Sequence, residues 1–183
     1  GKVYKAIYLD SGEYHALDPD ALRKYVEYFN KTLEMEKDNS TYYLFSDQEL
    51  QMLYNSVMNQ GVNAYQTEDF GGAHDYFKRA LNVYPNDTTA RIYAGAAAEQ
   101  NGDIDKALEQ YEALIESGNA GLNTYSRVIF IYRNEKKDLE KALTFTTAAL
   151  EKFPDDEILK QEKITALIIS YKSSMRSLDE SNC

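Results

Sequence analysis

The sequence has 183 residues, 43% of them hydrophobic and 27% charged, which is enough apolar material for a folded core. Thirty acidic residues against twenty basic ones give a net charge of -10, which argues against nucleic acid as the main partner. A single cysteine, Cys183, excludes an internal disulfide, and the two histidines, His15 and His74, lie far apart in sequence. The composition therefore favours a noncatalytic protein without a metal or a cofactor.

The richest apolar run covers residues 165–171, well short of the ~20 residues that a membrane-spanning helix needs. We therefore expect no transmembrane span within this sequence. It begins at Gly1 rather than at a methionine, so a preceding signal peptide or domain is compatible with it. Localisation, whether cytoplasmic or at the cell envelope, is left open.

Residues 1–45 are predicted to form a short helix, a long loop over 10–19 and a second helix. Asp18-Pro19 is a typical helix start, and the helix that follows is expected to continue to Met35.

The next helix is predicted to begin at a capping box. After a polar linker at 38–41, Ser46 and Glu49 have the spacing at which two side chains cap the backbone of a helix start reciprocally. We expect this helix to be unusually long and to end near Gln66.

Residues 46–156 contain an internal repeat. Pairs of similar residues are separated by 34 positions, namely Gly61 and Gly95, Asp69 and Asp103, Phe70 and Ile104, Ala73 and Ala107, Phe77 and Tyr111, and Ala80 and Leu114. The pattern then continues with a step of 35, as from Asp103 to Asp138 and from Ala107 to Ala142. Each unit is predicted to be a pair of helices joined by a polar turn, with boundaries at 54–87, 88–121 and 122–156.

Proline and glycine mark the ends of the second helices. Pro85 and Pro154 end two of them, and Gly118 and Gly121 are expected to end the other in the left-handed backbone conformation. Small residues allow the paired helices to approach closely, at Gly61, Ala73, Gly95, Ala107 and Ala142.

A terminal capping helix is predicted over 157–178, followed by a frayed tail over 179–183. Asp155 and Asp156 favour a helix start, because the exposed backbone amides of a first turn attract negative charge. Apolar residues recur at helical spacing, at Ile164, Leu167, Ile168, Tyr171, Met175 and Leu178. A cap has a polar outer face, which we assign to Lys160, Lys163, Lys172 and Arg176.

The second helices carry a family pattern. Ala73-x3-Phe77, with Ala80 and Pro85 behind it, resembles the tetratricopeptide repeat (TPR) family, and residues 107–114 are similar. The third unit departs from the pattern, because Thr146 stands where an aromatic residue is expected. Residues 1–45 resemble a degenerate or truncated repeat.

The resemblance implies an all-α fold, a right-handed TPR superhelix (α-solenoid) of antiparallel helix pairs. It also implies a noncatalytic scaffold that binds a peptide or a partner protein in a concave groove lined by the first helices. Helical spacing then assigns the groove positions to Met58, Val62, Tyr65, Ile92, Tyr93, Phe130, Arg127 and Arg133, with Lys2 and Lys5 in the degenerate repeat.

The inferred groove is basic although the chain is acidic. Helical spacing also places Glu99 in the groove, so Lys2, Lys5, Arg127 and Arg133 against Glu99 give it a charge of +3. We therefore predict a partner segment with apolar side chains and an acidic group near the two arginines, since arginine donates paired hydrogen bonds to carboxylates.

Three alternatives stay open. Tyr65 and Tyr93 would stack on sugar rings in a glycan-associated component of the cell envelope. The apolar stripe of the terminal helix would serve self-assembly into a homo-oligomer. The groove aromatics would otherwise merely pack between neighbouring repeats.

His74 is expected to lie exposed on the convex face without a second metal ligand.

Overall fold

The computed structural model describes residues 20–36 and 40–181, and the side chains of the last helix as far as residue 172. These residues form eight α-helices and one π-helical turn, with no β-strand among them, so the fold is all-α as predicted. The elements are α1 (Ala21–Met35), α2 (Thr41–Gln66), α3 (Phe70–Val83), α4 (Thr88–Gln100), α5 (Ile104–Glu116), α6 (Leu122–Phe130), the π-turn (Ile131–Glu135), α7 (Leu139–Lys152) and α8 (Glu157–Ser181).

The chain divides into two compact units, Gly1–Gly102 and Asp103–Cys183. Unit 1 contains α1 to α4, and unit 2 contains α5 to α8. In unit 1, α3 packs against both α2 and α4, while α1 packs against α2 and α3. In unit 2, α6 packs against α5 and α7, and α7 packs against α8.

Two clusters of buried side chains form the core of unit 1. The first joins Tyr25 and Phe29 of α1 to Leu50, Leu53 and Val57 of α2, among others. The second centres on Phe77 of α3, which packs with small residues of α4. The two clusters together draw on all four helices of unit 1.

The predicted close approach of paired helices is confirmed at Gly61. A Cβ atom at Gly61 would lie 2.6 Å from the ring of Phe77, closer than real side chains come. Every small residue that the repeat predicted at a helix contact is buried, at Gly61, Ala73, Gly95, Ala107 and Ala142.

The core of unit 2 joins first and second helices of the third repeat. Tyr125 and Ile129 of α6 pack with Leu114 of α5, Ala149 of α7 and Leu159 of α8. One buried cluster therefore draws on all four helices of the unit.

A left-handed residue recurs in the turn between the helices of each repeat. Glu68, Gly102 and Lys137 have φ values of 62°, 80° and 56°, and they occupy equivalent positions, 34 and 35 residues apart. Asp69 and Asp138, which follow the first and the third, accept a backbone hydrogen bond that caps the next helix. The turn is thus part of the repeat.

The π-turn takes up the extra residue of the third repeat. That residue enters between Ile129, which still follows the 34-residue spacing, and Asp138, which is displaced by one. Over Ile131–Glu135 the helix widens, and the N–H of Lys136 donates to the carbonyl of Ile131, five residues back, at 3.0 Å. A π-turn of this kind accommodates an inserted residue without breaking the helix.

The predicted start of α2 is wrong. The helix begins at Thr41 rather than Ser46, and the side chain of Ser40 caps it by accepting a hydrogen bond from the N–H of Tyr43 at 3.0 Å. Ser46 is buried inside the helix, and Glu49 accepts a hydrogen bond from a tyrosine of α1 instead of capping. Packing against α1 stabilises the additional turn.

The expectation for His74 is also wrong. Its side chain is only 4% exposed, because α4 covers the face of α3 that was expected to be convex surface. Nδ1 lies 2.9 Å from the carbonyl oxygen of Ala94. A carbonyl only accepts, so Nδ1 carries the proton and His74 donates a bond that joins α3 to α4.

The two glycines of the second repeat behave differently. Gly118 is left-handed, with φ of 75°, and ends α5 as predicted. The prediction for Gly121 is wrong, because its φ is -84° and it precedes the first turn of α6.

The ends of the chain match the prediction in part. α1 ends at Met35 as expected, whereas the helix predicted before residue 10, the loop over 10–19, and Lys2 and Lys5 lie outside the described residues. α8 begins as predicted, with Asp156 accepting from the N–H of Leu159 at 2.9 Å, but it extends to Ser181. Among the described helices, none combines the length and apolarity that crossing a membrane requires.

Candidate functional site

First helices of two successive repeats form one cleft in unit 1. Its volume is about 380 Å³, and α2, α3 and α4 all contribute to its wall. The residues that line it are Val62, Tyr65, Gln66, Phe77, Ile92, Tyr93 and Ala96. Four of the predicted groove residues, from two different helices, therefore meet at a single place.

Phe77 forms the floor of this cleft because Gly61 leaves room for its ring. Its centroid lies 5.4 Å from that of Tyr93, with the rings tilted by 56°. Tyr65 meets the ring of Phe70 edge to face at 5.1 Å. These contacts hold the aromatic walls in defined orientations.

The cleft walls are apolar and accessible. Ile92 and Tyr93 are 42% and 44% exposed, although both are large hydrophobic residues. Adjacent exposed apolar side chains in a concave surface are typical of binding sites. The arrangement is suited to taking up apolar side chains of another molecule.

Met58 does not line the cleft, unlike Val62 and Tyr65, the other predicted groove residues of α2. It is half-buried and packs against both core clusters of unit 1. Its position supports the cleft without lining it.

The predicted groove residues of unit 2 form a second surface. Phe130 is exposed, and the guanidinium of Arg127 lies 5.3 Å from the centroid of its ring, a cation–π arrangement. Arg133 forms an ion pair with Glu162 of α8, and both side chains are about one-third exposed. Arg133 is thus already bound to a carboxylate within the chain.

α8 contributes residues to this surface that the sequence interpretation missed. A cleft of about 130 Å³ lies between α6 and α8, and another of about 360 Å³ lies along α8 itself. Ile158, Gln161, Glu162 and Thr165 of α8 line one or both of them. The 35-residue step gives a signal for two of them, because it carries the groove positions Arg127 and Phe130 of α6 onto Glu162 and Thr165.

The π-turn is held by Tyr132. Its ring stacks on Phe145 at 5.5 Å with an interplanar angle of 9°, and its hydroxyl donates to Glu112. Burial and this hydrogen bond raise the pKa of Tyr132 well above its ordinary value, so the hydroxyl stays a donor. The fixed turn sets where the neighbouring Arg133 lies.

The part of the chain that the structure describes contains no cluster of histidine, cysteine and carboxylate side chains arranged to hold a metal ion.

Residues 58–121 match the family model of the tetratricopeptide repeat. This segment includes the last turns of α2 and all of α3, α4 and α5, and therefore the whole cleft of unit 1. This segment of the chain therefore consists of tetratricopeptide repeats, as the repeat pattern predicted. Such repeats generally mediate protein–protein interaction and typically act as noncatalytic scaffolds. No curated protein matches the sequence.

Proposed function

We propose that this protein is a noncatalytic interaction scaffold whose unit 1 cleft binds an apolar segment of a partner protein. The observation that carries the proposal is that Val62, Tyr65, Ile92 and Tyr93 line one accessible cleft with an aromatic floor. Aromatic residues in a pocket are the usual anchors of protein interfaces.

The size of the cleft favours a side-chain anchor. At about 380 Å³ it lies near the lower end of the range of ligand pockets, and it has room for one or two large apolar side chains. Its wall offers only the amide of Gln66 and the tyrosine hydroxyls as polar groups. Apolar contact therefore provides most of the expected affinity.

The expectation that the partner carries an acidic segment rests on two arginines of unit 2. Arg127 is exposed on the same helix as Phe130, and Arg133 forms its ion pair at the edge of the cleft between α6 and α8. A partner carboxylate at Arg133 would have to replace Glu162. We expect this site to prefer acidic segments only moderately, because a competing carboxylate is built into the chain.

Selection of peptides from a random displayed library tests the unit 1 cleft. We expect purified protein to select sequences with large apolar residues, and Tyr93→Ala or Ile92→Asp to weaken their binding at least about tenfold. Tyr28→Ala is a matched control, because Tyr28 is an exposed tyrosine of unit 1 that also packs against one buried phenylalanine. It should leave the affinity unchanged.

Other outcomes overturn the proposal. Selected peptides that bind equally well to the folded cleft variants would place the site elsewhere. A failure to select any peptide, with soluble oligosaccharides instead binding in a Tyr93-dependent manner, would support the glycan alternative.

The competition at Arg133 has its own test. Glu162→Gln removes the internal carboxylate, so the affinity of an acidic-apolar peptide should rise about three- to tenfold, and Arg133→Gln should remove that gain. Glu157→Gln is the matched control, because it makes the same charge change on α8 at a residue that pairs with Lys160. An equal gain in both variants would show a general charge effect and contradict a role for Arg133.

A further inference from the structure

A second cavity of unit 1 is lined mainly by aromatic side chains. It has a volume of about 430 Å³ and lies between the second half of α1 and the first half of α2. It shares none of its described lining residues with the unit 1 cleft. We name it the aromatic cavity. Its wall contains the rings of Tyr28, Phe29, Tyr42 and Phe45, the carboxylate of Glu49 and three serine or threonine side chains.

The rings of the aromatic cavity are arranged around Phe29. Phe29 is buried, and its ring meets Tyr28 edge to face at a centroid distance of 5.0 Å and Phe45 at 6.1 Å. Tyr28, Tyr42 and Phe45 are 56%, 69% and 46% exposed. The face of an aromatic ring carries partial negative charge and attracts cations. The aromatic cavity is thus accessible to a positively charged group from another molecule.

Glu49 adds a carboxylate to this wall. It is half-buried, and it is the only charged side chain among the described residues that line the aromatic cavity. The hydroxyl of the buried Tyr25 donates a hydrogen bond to Glu49 Oε2 at 2.7 Å. Burial and this hydrogen bond raise the pKa of Tyr25 well above its ordinary value, so the hydroxyl remains a donor. The carboxylate therefore has a defined orientation.

The rings and the carboxylate favour the same ligand chemistry, that of an organic cation. Arginine meets both requirements, because its planar guanidinium stacks on aromatic rings and donates paired hydrogen bonds to a carboxylate. The surroundings add to this preference, since α2 carries two acidic residues and no basic one, and the whole chain has a net charge of -10. The unit 1 cleft differs, because its described lining residues include no charged side chain.

We propose that the aromatic cavity binds an arginine side chain of a partner protein. The guanidinium stacks on the exposed rings and pairs with Glu49, while the methylene stem contacts the remaining apolar surface. The volume of about 430 Å³ lies within the range of ligand pockets. Unit 1 would then recognise an apolar side chain and a basic side chain at two separate sites.

Titration of the whole chain with short peptides, followed by nuclear magnetic resonance, tests the proposal. One probe is a blocked alanine pentapeptide with a central arginine, and the matched probe carries citrulline, which has the shape of arginine without its charge. We expect the arginine peptide to shift the ring resonances of Tyr42 and Phe45, and the citrulline peptide to bind at least about fivefold more weakly. Tyr93→Ala should leave this binding unchanged, so the unit 1 cleft is tested separately.

Glu49→Gln tests the role of the carboxylate. Glutamine still accepts the hydrogen bond of Tyr25, so the variant loses the charge without losing that contact, and its affinity for the arginine peptide should fall at least about fivefold. Asp47→Asn is the matched control, because it makes the same charge change on α2 at an exposed residue outside the lining of the aromatic cavity. It should leave the affinity nearly unchanged.

Two substitutions of Tyr42 test the role of the rings. Tyr42→Leu keeps an apolar side chain but removes the ring, so the arginine peptide should bind at least about threefold more weakly. Tyr42→Phe keeps the ring and should bind the peptide normally. Circular dichroism should show equal helix content in all these variants.

The following results would overturn the proposal. Equal binding of the arginine and citrulline peptides would show a site that does not select charge. Equal losses in Glu49→Gln and Asp47→Asn would show a general charge effect. Ring resonances that do not respond to the arginine peptide would also contradict it. If they respond only after Lys2→Gln and Lys5→Gln are combined, the aromatic cavity belongs to a lysine of this chain rather than to a partner.

Discussion

Gly61 is the residue on which the packing beneath the unit 1 cleft depends. Alanine is the better helix former by about 1 kcal/mol, but its Cβ would clash with the buried ring of Phe77. We expect Gly61→Ala to lower the free energy of unfolding by roughly 1–2 kcal/mol, as measured by urea denaturation.

Gly71→Ala is the control for this substitution. The nearest atom to a Cβ at Gly71 is 3.6 Å away, at ordinary contact distance, so alanine should be neutral or stabilising. Equal destabilisation of both variants would show that Phe77 does not limit the size of the residue at 61.

Lys137 adopts a backbone conformation that costs a side-chain-bearing residue about 1 kcal/mol. We therefore expect Lys137→Gly to stabilise the protein by up to about 1 kcal/mol, and Gly102→Ala, at the equivalent turn, to destabilise it by a similar amount. Thermal unfolding followed by circular dichroism measures both. A stabilising Gly102→Ala would contradict the shared turn geometry.

At the scale of the element, the π-turn is an insertion that the third repeat has absorbed. Deletion of Glu135 should convert the π-turn into regular α-helix and leave a cooperatively folded protein. We expect the free energy of unfolding, measured by urea denaturation, to fall by no more than roughly 2 kcal/mol. The deletion removes only the extra residue and leaves the orientation of α6 unchanged.

Deletion of Gln100 is the comparison, since it occupies the corresponding position in a first helix without a bulge. In α4 the deletion shifts the turn at Gly102 relative to the helix that follows, so the free energy of unfolding should fall further. If the two deletions cost the same, the π-turn is not where the extra residue is accommodated.

At the scale of the whole molecule, acidity and self-association oppose each other. Two copies that each carry -10 repel, and salt screens that repulsion over about 10 Å at 0.1 M. If two copies associate through the exposed apolar residues of α8, a rise from about 0.05 to 0.5 M salt should tighten the dimer in sedimentation experiments. Dissociation by salt would indicate an interface held by ion pairs.

The repeat and its helices were predictable because their signals are local. Small residues at a spacing of 34, prolines behind the second helices and aspartates at the helix starts act on neighbouring turns of the same chain. Helical spacing, applied to the groove that the family resemblance implies, assigned Val62, Tyr65, Ile92 and Tyr93 to it, and these four residues line the cleft of unit 1. The shift from 34 to 35 marks an added residue, but only the structure shows that a π-turn accommodates it.

The features that were missed depend on which helix packs against which. His74 has the sequence context of a surface residue and is buried because α4 lies over it. Ser46 has the spacing of a cap and lies inside α2 because α1 stabilises an earlier start. Arg133 looked available to a partner until Glu162, 29 residues away, was found to bind it.

The sequence by itself therefore determined that this protein is all-α, that it contains tetratricopeptide repeats and where its paired helices lie, because those properties come from periodic, short-range patterns. Only the tertiary structure decided which side of each helix is accessible. Burial depends on neighbours that are distant in sequence, and for α8 it left uncovered a stripe of apolar residues that periodicity had assigned to a cap.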